Sequence, residues 1–221
     1  MTKILIIGLS AIALNANAAS TITQTDTINN GPSPSASFPL TTGFSFNQFD
    51  PALGTLLSVT LTIAADASAD VIGDNESGSA ASFTASLSGS VVGTIPVGGL
   101  DATAVLNMSA GPVGVDADND VAADFTGTDA NDFGTLADED SDSDSATTGL
   151  TPFIGLGTLA GNIDDNQVWG VSGGGDAVTQ VLNSRSTTVW TVTYEFEPVP
   201  EPSTALLGLV GVLGLVCRRR R

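Results

Sequence analysis

Apolar and polar side chains alternate with a period of two along much of the chain. Leu57, Val59, Leu61 and Ile63 alternate with Ser58, Thr60 and Thr62. Phe83, Ala85 and Leu87 alternate with small polar residues, and Trp190, Val192, Tyr194 and Phe196 with Thr191, Thr193, Glu195 and Glu197. Each run puts one face toward a core and one toward water, as a half-buried strand does. β-branched residues and threonine dominate these runs, as strands prefer. Glycine-rich clusters between them are expected to form turns: Gly73-Asp74-Asn75, Gly98-Gly99, Gly111-Pro112 and Gly173-Gly174-Gly175. The pattern predicts an all-β fold, a β-sandwich of about 8–10 mostly antiparallel strands. A first edge strand is expected near Thr21–Thr27, with a loop through Gly31-Pro32-Ser33-Pro34. No long amphipathic helix pattern interrupts the series. The stretch 116–145 is acidic and poor in apolar residues, so it is expected to form long loops. Its run Asp138-Glu139-Asp140-Ser141-Asp142-Ser143-Asp144 fits no packed element on composition.

The two ends follow other patterns. Lys3, an apolar run from Ile4 to Leu14, and Ala16-Asn17-Ala18 form the three parts of a secretory signal peptide. Residues 1–18 are therefore expected to be removed by signal peptidase, leaving an acidic sandwich domain over 19–198 and a tail over 199–221. In the tail, Thr204–Cys217 is 14 residues, about 21 Å as a helix, which is short against a hydrocarbon core of about 30 Å. Arg218, Arg219, Arg220 and Arg221 resist translocation and would stay on the cytoplasmic side of the inner membrane, placing the rest of the chain outside. Proline keeps the segment Val199, Pro200, Glu201, Pro202 out of helix, so a peptidase would meet extended backbone there.

These residues resemble the PEP-CTERM sorting signal: Pro-Glu-Pro, a short apolar helix, then an arginine cluster. The resemblance implies processing near Pro200–Pro202 by exosortase, an integral-membrane cysteine peptidase, and a final place in the envelope, outer surface or biofilm matrix of a Gram-negative-type bacterium. A second resemblance lies inside the chain. Phe49-Asp50-Pro51, Leu53-Gly54-Thr55-Leu56 and Val59-Thr60-Leu61-Thr62 are similar to the opening of the choice-of-anchor E domain, and Val192-Thr193-Tyr194 to its closing strand. That likeness implies an exported β-rich domain and brings no catalytic residues.

Charge narrows the function. Of six basic residues, Lys3 and the four terminal arginines lie in the two end segments. Arg185 alone remains in 19–200, against 23 of the 24 acids, since Glu201 falls in the tail. The net charge of that part is 1 − 23 = −22, which repels nucleic acid. There is no histidine, and the single cysteine, Cys217, sits in the tail. Ser-His-Asp and Cys-His catalysis, histidine-ligated zinc and a disulfide in the sandwich domain are thereby excluded.

The remaining candidates are acidic or aromatic. Asp116, Asp118 and Asp120, with Asp124, set carboxylates at alternate positions, as calcium loops do. Val121 and Gly127 stand where an EF-hand needs glycine and glutamate, so that loop type is excluded. Asp129, Asn131 and Asp132 form a second set, and the 138–144 run a third. Trp169 is the one aromatic placed to stack on a sugar. The sequence thus predicts an exported structural or adhesive protein that is not an enzyme, with exosortase and signal peptidase as processing partners and exopolysaccharide as a further partner. The alternative is a calcium-stabilised carbohydrate-binding module of the matrix.

Overall fold

The computed structural model describes residues 18–31, 38–118, 122–174 and 176–199. These form eight strands: β1 (Ser20–Asn30), β2 (Leu40–Asn47), β3 (Gly54–Asn75), β4 (Ala81–Ile95), β5 (Leu100–Val115), β6 (Ala130–Ala146), β7 (Thr158–Ser172) and β8 (Ala177–Pro198). One sheet runs β1-β8-β3-β6 and the other β2-β7-β4-β5. Every strand pair is antiparallel. The fold is therefore the all-β sandwich that the alternation predicts, with four strands in each layer. The leader and the tail from Pro200 onward lie outside the described residues.

The core is built by the alternating positions. β3 supplies Val59, Leu61 and Ile63, β4 supplies Phe83, Leu87, Val91 and Ile95, and β8 supplies Trp190, Val192, Tyr194 and Phe196, all buried. Phe44 of β2 stacks on Trp190 with centroids 4.6 Å apart, and Phe49 packs against Phe196 at 5.1 Å. Such aromatic pairs add to the burial of their own large areas. Two glycines make room for large neighbours: a Cβ on Gly93 would sit 2.3 Å from Ile63 Cδ1 of the other sheet, and one on Gly161 2.2 Å from Cζ of Phe44, its cross-strand partner in β2.

Three local readings need correction. Leu57 does not join Val59, Leu61 and Ile63 on the inner face. It is the extra residue of a bulge between the pairs Leu56–Phe196 and Ser58–Glu195, so Leu56 is buried and Leu57 is 40% exposed. Gly73-Asp74-Asn75 and Gly111-Pro112 are not turns. The first closes β3, and in β5 the second sets two residues opposite the single Thr84, a bulge that accommodates a proline without an N–H. The largest correction is β6. The acidic stretch expected to be loop is a strand of 17 residues paired along β3 from Val59 to Asp74.

Bulges flank β3 on both sides at one level. Ala69 and Val71 mark the register shifts toward β8 and β6, beside Asn183 (φ 54°) and Gly134 (φ 69°). The Asp70 carboxylate ties the two together, accepting from Thr135 Oγ1 on one side and from Asn183 Nδ2 at 2.7 Å on the other. Those bonds hold its pKa below the usual aspartate value, helped by Arg185.

Candidate functional site

The chain leaves the sandwich beside the Phe49–Gly54 turn. Asp50 Oδ1 accepts from Ala52 N at 2.8 Å, Leu53 N donates to Asp50 O at 3.1 Å, and Phe49 is anchored by Phe153 O and Gly155 N. Gly54 starts β3 where β8 passes closest: a Cβ there would lie 2.0 Å from Glu197 O. The glycine at 54 thus answers a close approach of two backbones. Val199 N then donates to Leu53 O at 3.1 Å, one residue past the end of β8. Val199 itself is exposed. Pro200, Glu201, Pro202 and Arg218–Arg221 lie outside the described residues.

Two of the acidic candidates are held through their main chain, and two turn their carboxylates on nearby residues. Asp116 and Asp118 donate their N–H groups to Thr128 O and Ser77 O, both at 2.9 Å, while Asn75 Nδ2 reaches Asp116 O at 2.6 Å. The Asp124 carboxylate turns back on Thr126, accepting from its N–H at 2.8 Å and its hydroxyl at 2.7 Å. Asp132 does the same for Gly134 N at 2.7 Å. Asp120 lies outside the described residues. Among the described residues no group of three or more Asp, Glu, His or Cys is placed to hold a metal ion.

The arrangement that sequence reasoning missed is a carboxylate ladder. Asp138, Asp140, Asp142 and Asp144 share a parity on β6 with the buried Leu136. They do not enter the core. They meet the free edge of β5 in the other sheet: Asp138 Oδ2 accepts from Asn107 N at 2.7 Å, Asp140 from Val105 N at 2.7 Å, Asp142 from Thr103 N at 2.8 Å and Asp144 from Asp101 N at 3.0 Å. Four side chains about 6.8 Å apart along β6 thus cap four successive outward N–H groups on β5, whose alternate residues pair with β4. The bond from Thr103, with one from Ser143, lowers the pKa of Asp142. An edge strand with unpaired N–H groups is a template for another chain, and carboxylates seal this one. The clue in the sequence is Asp at every second position, a strand period, which acidic composition disguised as a loop.

The opposite side of the sandwich, between β1 and β2, is sealed at one point. Gln24 Nε2 donates to Asn47 O at 2.9 Å and its Oε1 accepts from Asn47 N at 2.7 Å, with Tyr194 OH also on Asn47 O. A shallow groove of about 410 Å³ lies beside this clasp, lined by Asp26, Ile28, Gly43, Phe44, Ser45 and Trp190. A second, of about 420 Å³, lies on the outer face of the β3, β6 and β8 strands beside Asp66 and Glu139.

Trp169 is half-buried and packs against both apolar clusters of the interior, with its indole N–H buried and lacking an acceptor. Next to it on the inner face of β7 lie Gln167 and Asp165, both buried. Burial raises the Asp165 pKa, against the pull of Ser186 and of Gln167, whose Nε2 donates to Asp165 Oδ1 at 2.8 Å.

With the exit at Val199 in place, the C-terminal 24 residues can be assigned. Residues 198–221 match a PEP-CTERM protein-sorting motif. That motif marks an exported protein for exosortase, and this chain carries it from the last residue of β8 onward. The PEP-CTERM segment takes up the whole of the tail from Pro198, so the sandwich and the sorting device meet without a spacer. Among the described residues no helix is long and apolar enough to cross a membrane. No curated protein matches the chain. Solved structures similar to it include infectious bursal disease virus of the Gx strain (16% identity, 91% of this chain and 48% of that one, TM-score 0.21) and the VP2 subviral particle of the same virus (14%, 98% and 54%, TM-score 0.21). The chain spans about half the length of those proteins, and at such scores the likeness carries no argument.

Proposed function

We propose that this is a structural component of the bacterial envelope or extracellular matrix, delivered by its PEP-CTERM tail and released as an intact sandwich. One observation carries the reading. The sorting motif begins at Pro198, and the fold holds the chain by a backbone bond up to Val199. Cleavage at Pro200–Pro202 would fall just beyond that clamp, so processing removes the tail without unpairing β8 from β3. The leader and tail act in sequence: the leader opens the export route, the apolar tail holds the chain at the inner membrane, and exosortase hands the domain onward. A structural rather than catalytic role is supported by how the carboxylates are used, as caps on an edge strand, ties between bulges and local turn bonds. The likeness of Phe49–Thr62 to the choice-of-anchor E domain supports the same reading, because the turn it covers is the clamp at the exit. Mass spectrometry of the product from the native host tests it. The expected mature form starts at Ala19 and lacks the four arginines; a surface-located product that still carries them would overturn the proposal.

A further inference from the structure

The interior of the sandwich holds polar groups that neither the export reading nor the packing explains. Asp165 and Gln167 project inward from β7, and Ser186 projects inward from β8 in the other sheet. Their exposures are 3%, 5% and 2%, so none is reached by bulk solvent. Gln167 Oε1 and Ser186 Oγ have no hydrogen-bond partner, an arrangement that native interiors rarely tolerate. Both residues nevertheless bear on one carboxyl group. Gln167 Nε2 donates to Asp165 Oδ1 at 2.8 Å, and the Ser186 hydroxyl stabilises the ionised form of the same carboxyl while lying outside good hydrogen-bond geometry. Neither of the two surface grooves is lined by these residues. An alcohol and a carboxamide therefore converge on one buried carboxyl from strands of opposite sheets.

We propose that Ser186 Oγ and Gln167 Cδ join in an intramolecular ester that ties the two sheets together, with Asp165 as the catalytic proton carrier. Asp165 takes the proton from the Ser186 hydroxyl as Oγ attacks Cδ. The Cδ–Nε2 bond then breaks as Asp165 returns that proton to Nε2, the atom it already holds. Ammonia leaves. One hydroxyl and one primary amide become one ester and one ammonia, with no change of oxidation state and no co-reactant. Burial suits the step twice: it makes the carboxylate a better base, and it holds the reacting groups at high effective concentration. Escape of ammonia draws the reaction forward. The unpartnered Trp169 N–H, two residues along the same face of β7, is a donor available to the oxygen of the tetrahedral intermediate. The sandwich domain has no cysteine or lysine, so neither a disulfide nor a lysine amide can cross-link it. An ester from side chains it does possess would give an exported domain the same covalent closure.

Arg185 makes the test direct. It is the one basic residue between Lys3 and Arg218, and it lies between Gln167 and Ser186 in the chain. Trypsin acting on the denatured full chain therefore cuts that span once, separating the two residues. The expected result is that both fragments stay joined under denaturing, reducing conditions, with a mass one ammonia below the sum of their sequences, and that hydroxylamine separates them. Ser186→Ala gives two free fragments whether or not that variant folds well, because the digest is made on unfolded chain. Two free fragments of full sequence mass from the wild-type protein would overturn the proposal and leave a buried water as the partner of the two atoms. Fragments that stay joined in Ser186→Ala would overturn the assignment to that serine.

Discussion

Asp70 shows how one exposed carboxylate can hold a long strand in register. β3 is flanked at the same level by bulges in β6 and β8, and each bulge would splay its partner without a tie. Asp70→Ala removes the acceptor for both Thr135 and Asn183. The expected loss of Tm is about 2–4 °C, the shift that ~1 kcal/mol gives in a domain of this size, read by thermal unfolding. The pH dependence has a definite sign. Asp70 is held below its usual pKa when folded, so its contribution is complete above the unfolded value of about 3.9. It is lost as pH falls through the lower folded value. The wild-type advantage over Asp70→Ala should therefore vanish in acid. Gly54 is the second decisive residue. Gly54→Ala drives a methyl into the backbone at Glu197 and should cost about 1–3 kcal/mol. Because Val199 is bonded to the adjacent Leu53, the variant should also show faster amide exchange at Val199.

The β5–β6 ladder belongs to strands rather than to single residues. Its four carboxylates act on consecutive outward amides of one edge, so truncating two neighbours opens a gap there. In Asp140→Ala with Asp142→Ala, hydrogen exchange at the Thr103 and Val105 amides should rise about threefold to tenfold, the range set by one net hydrogen bond each. Exchange at Ala102 and Ala104, which pair with β4, should change little. An opened edge should also make the variant associate at high concentration, detectable by light scattering. The strand itself was hidden in the sequence because its inward parity is filled with aspartate. Leu136 is the one fully buried apolar residue in a 17-residue element, and pairing along β3 outweighs composition. Gly111-Pro112 was misread for a related reason: a bulge and a turn use the same residues, and only the partner strand distinguishes them.

For the molecule as a whole, folding and sorting meet at one point. The sandwich carries nearly all the negative charge, and the tail carries four of the six basic residues. Removing the tail thus leaves a body of one sign that repels its own copies at low salt. Replacing Pro200, Glu201 and Pro202 with alanine should leave the thermal stability of the sandwich unchanged within about 0.5 kcal/mol, as for surface changes generally. The product should then retain its arginines and stay with the inner membrane, seen by fractionation and mass spectrometry.

The alternation of Leu61, Leu87 and Val192 with polar neighbours determined the sandwich without help from the rest of the chain. A period of two leaves one face to bury, and two such sheets are the natural way to bury it. The order of Pro200-Glu201-Pro202, apolar run and arginines likewise marked the sorting tail, because that signal is linear. Tertiary structure alone decided what the acids do, that Leu57 turns outward, and that Gln167 and Ser186 share a buried carboxyl. Those facts depend on neighbours far away in the chain, such as Asp138 on Asn107 across 31 positions. Such neighbours are fixed by strand order and bulge position, and no local pattern of residues encodes them.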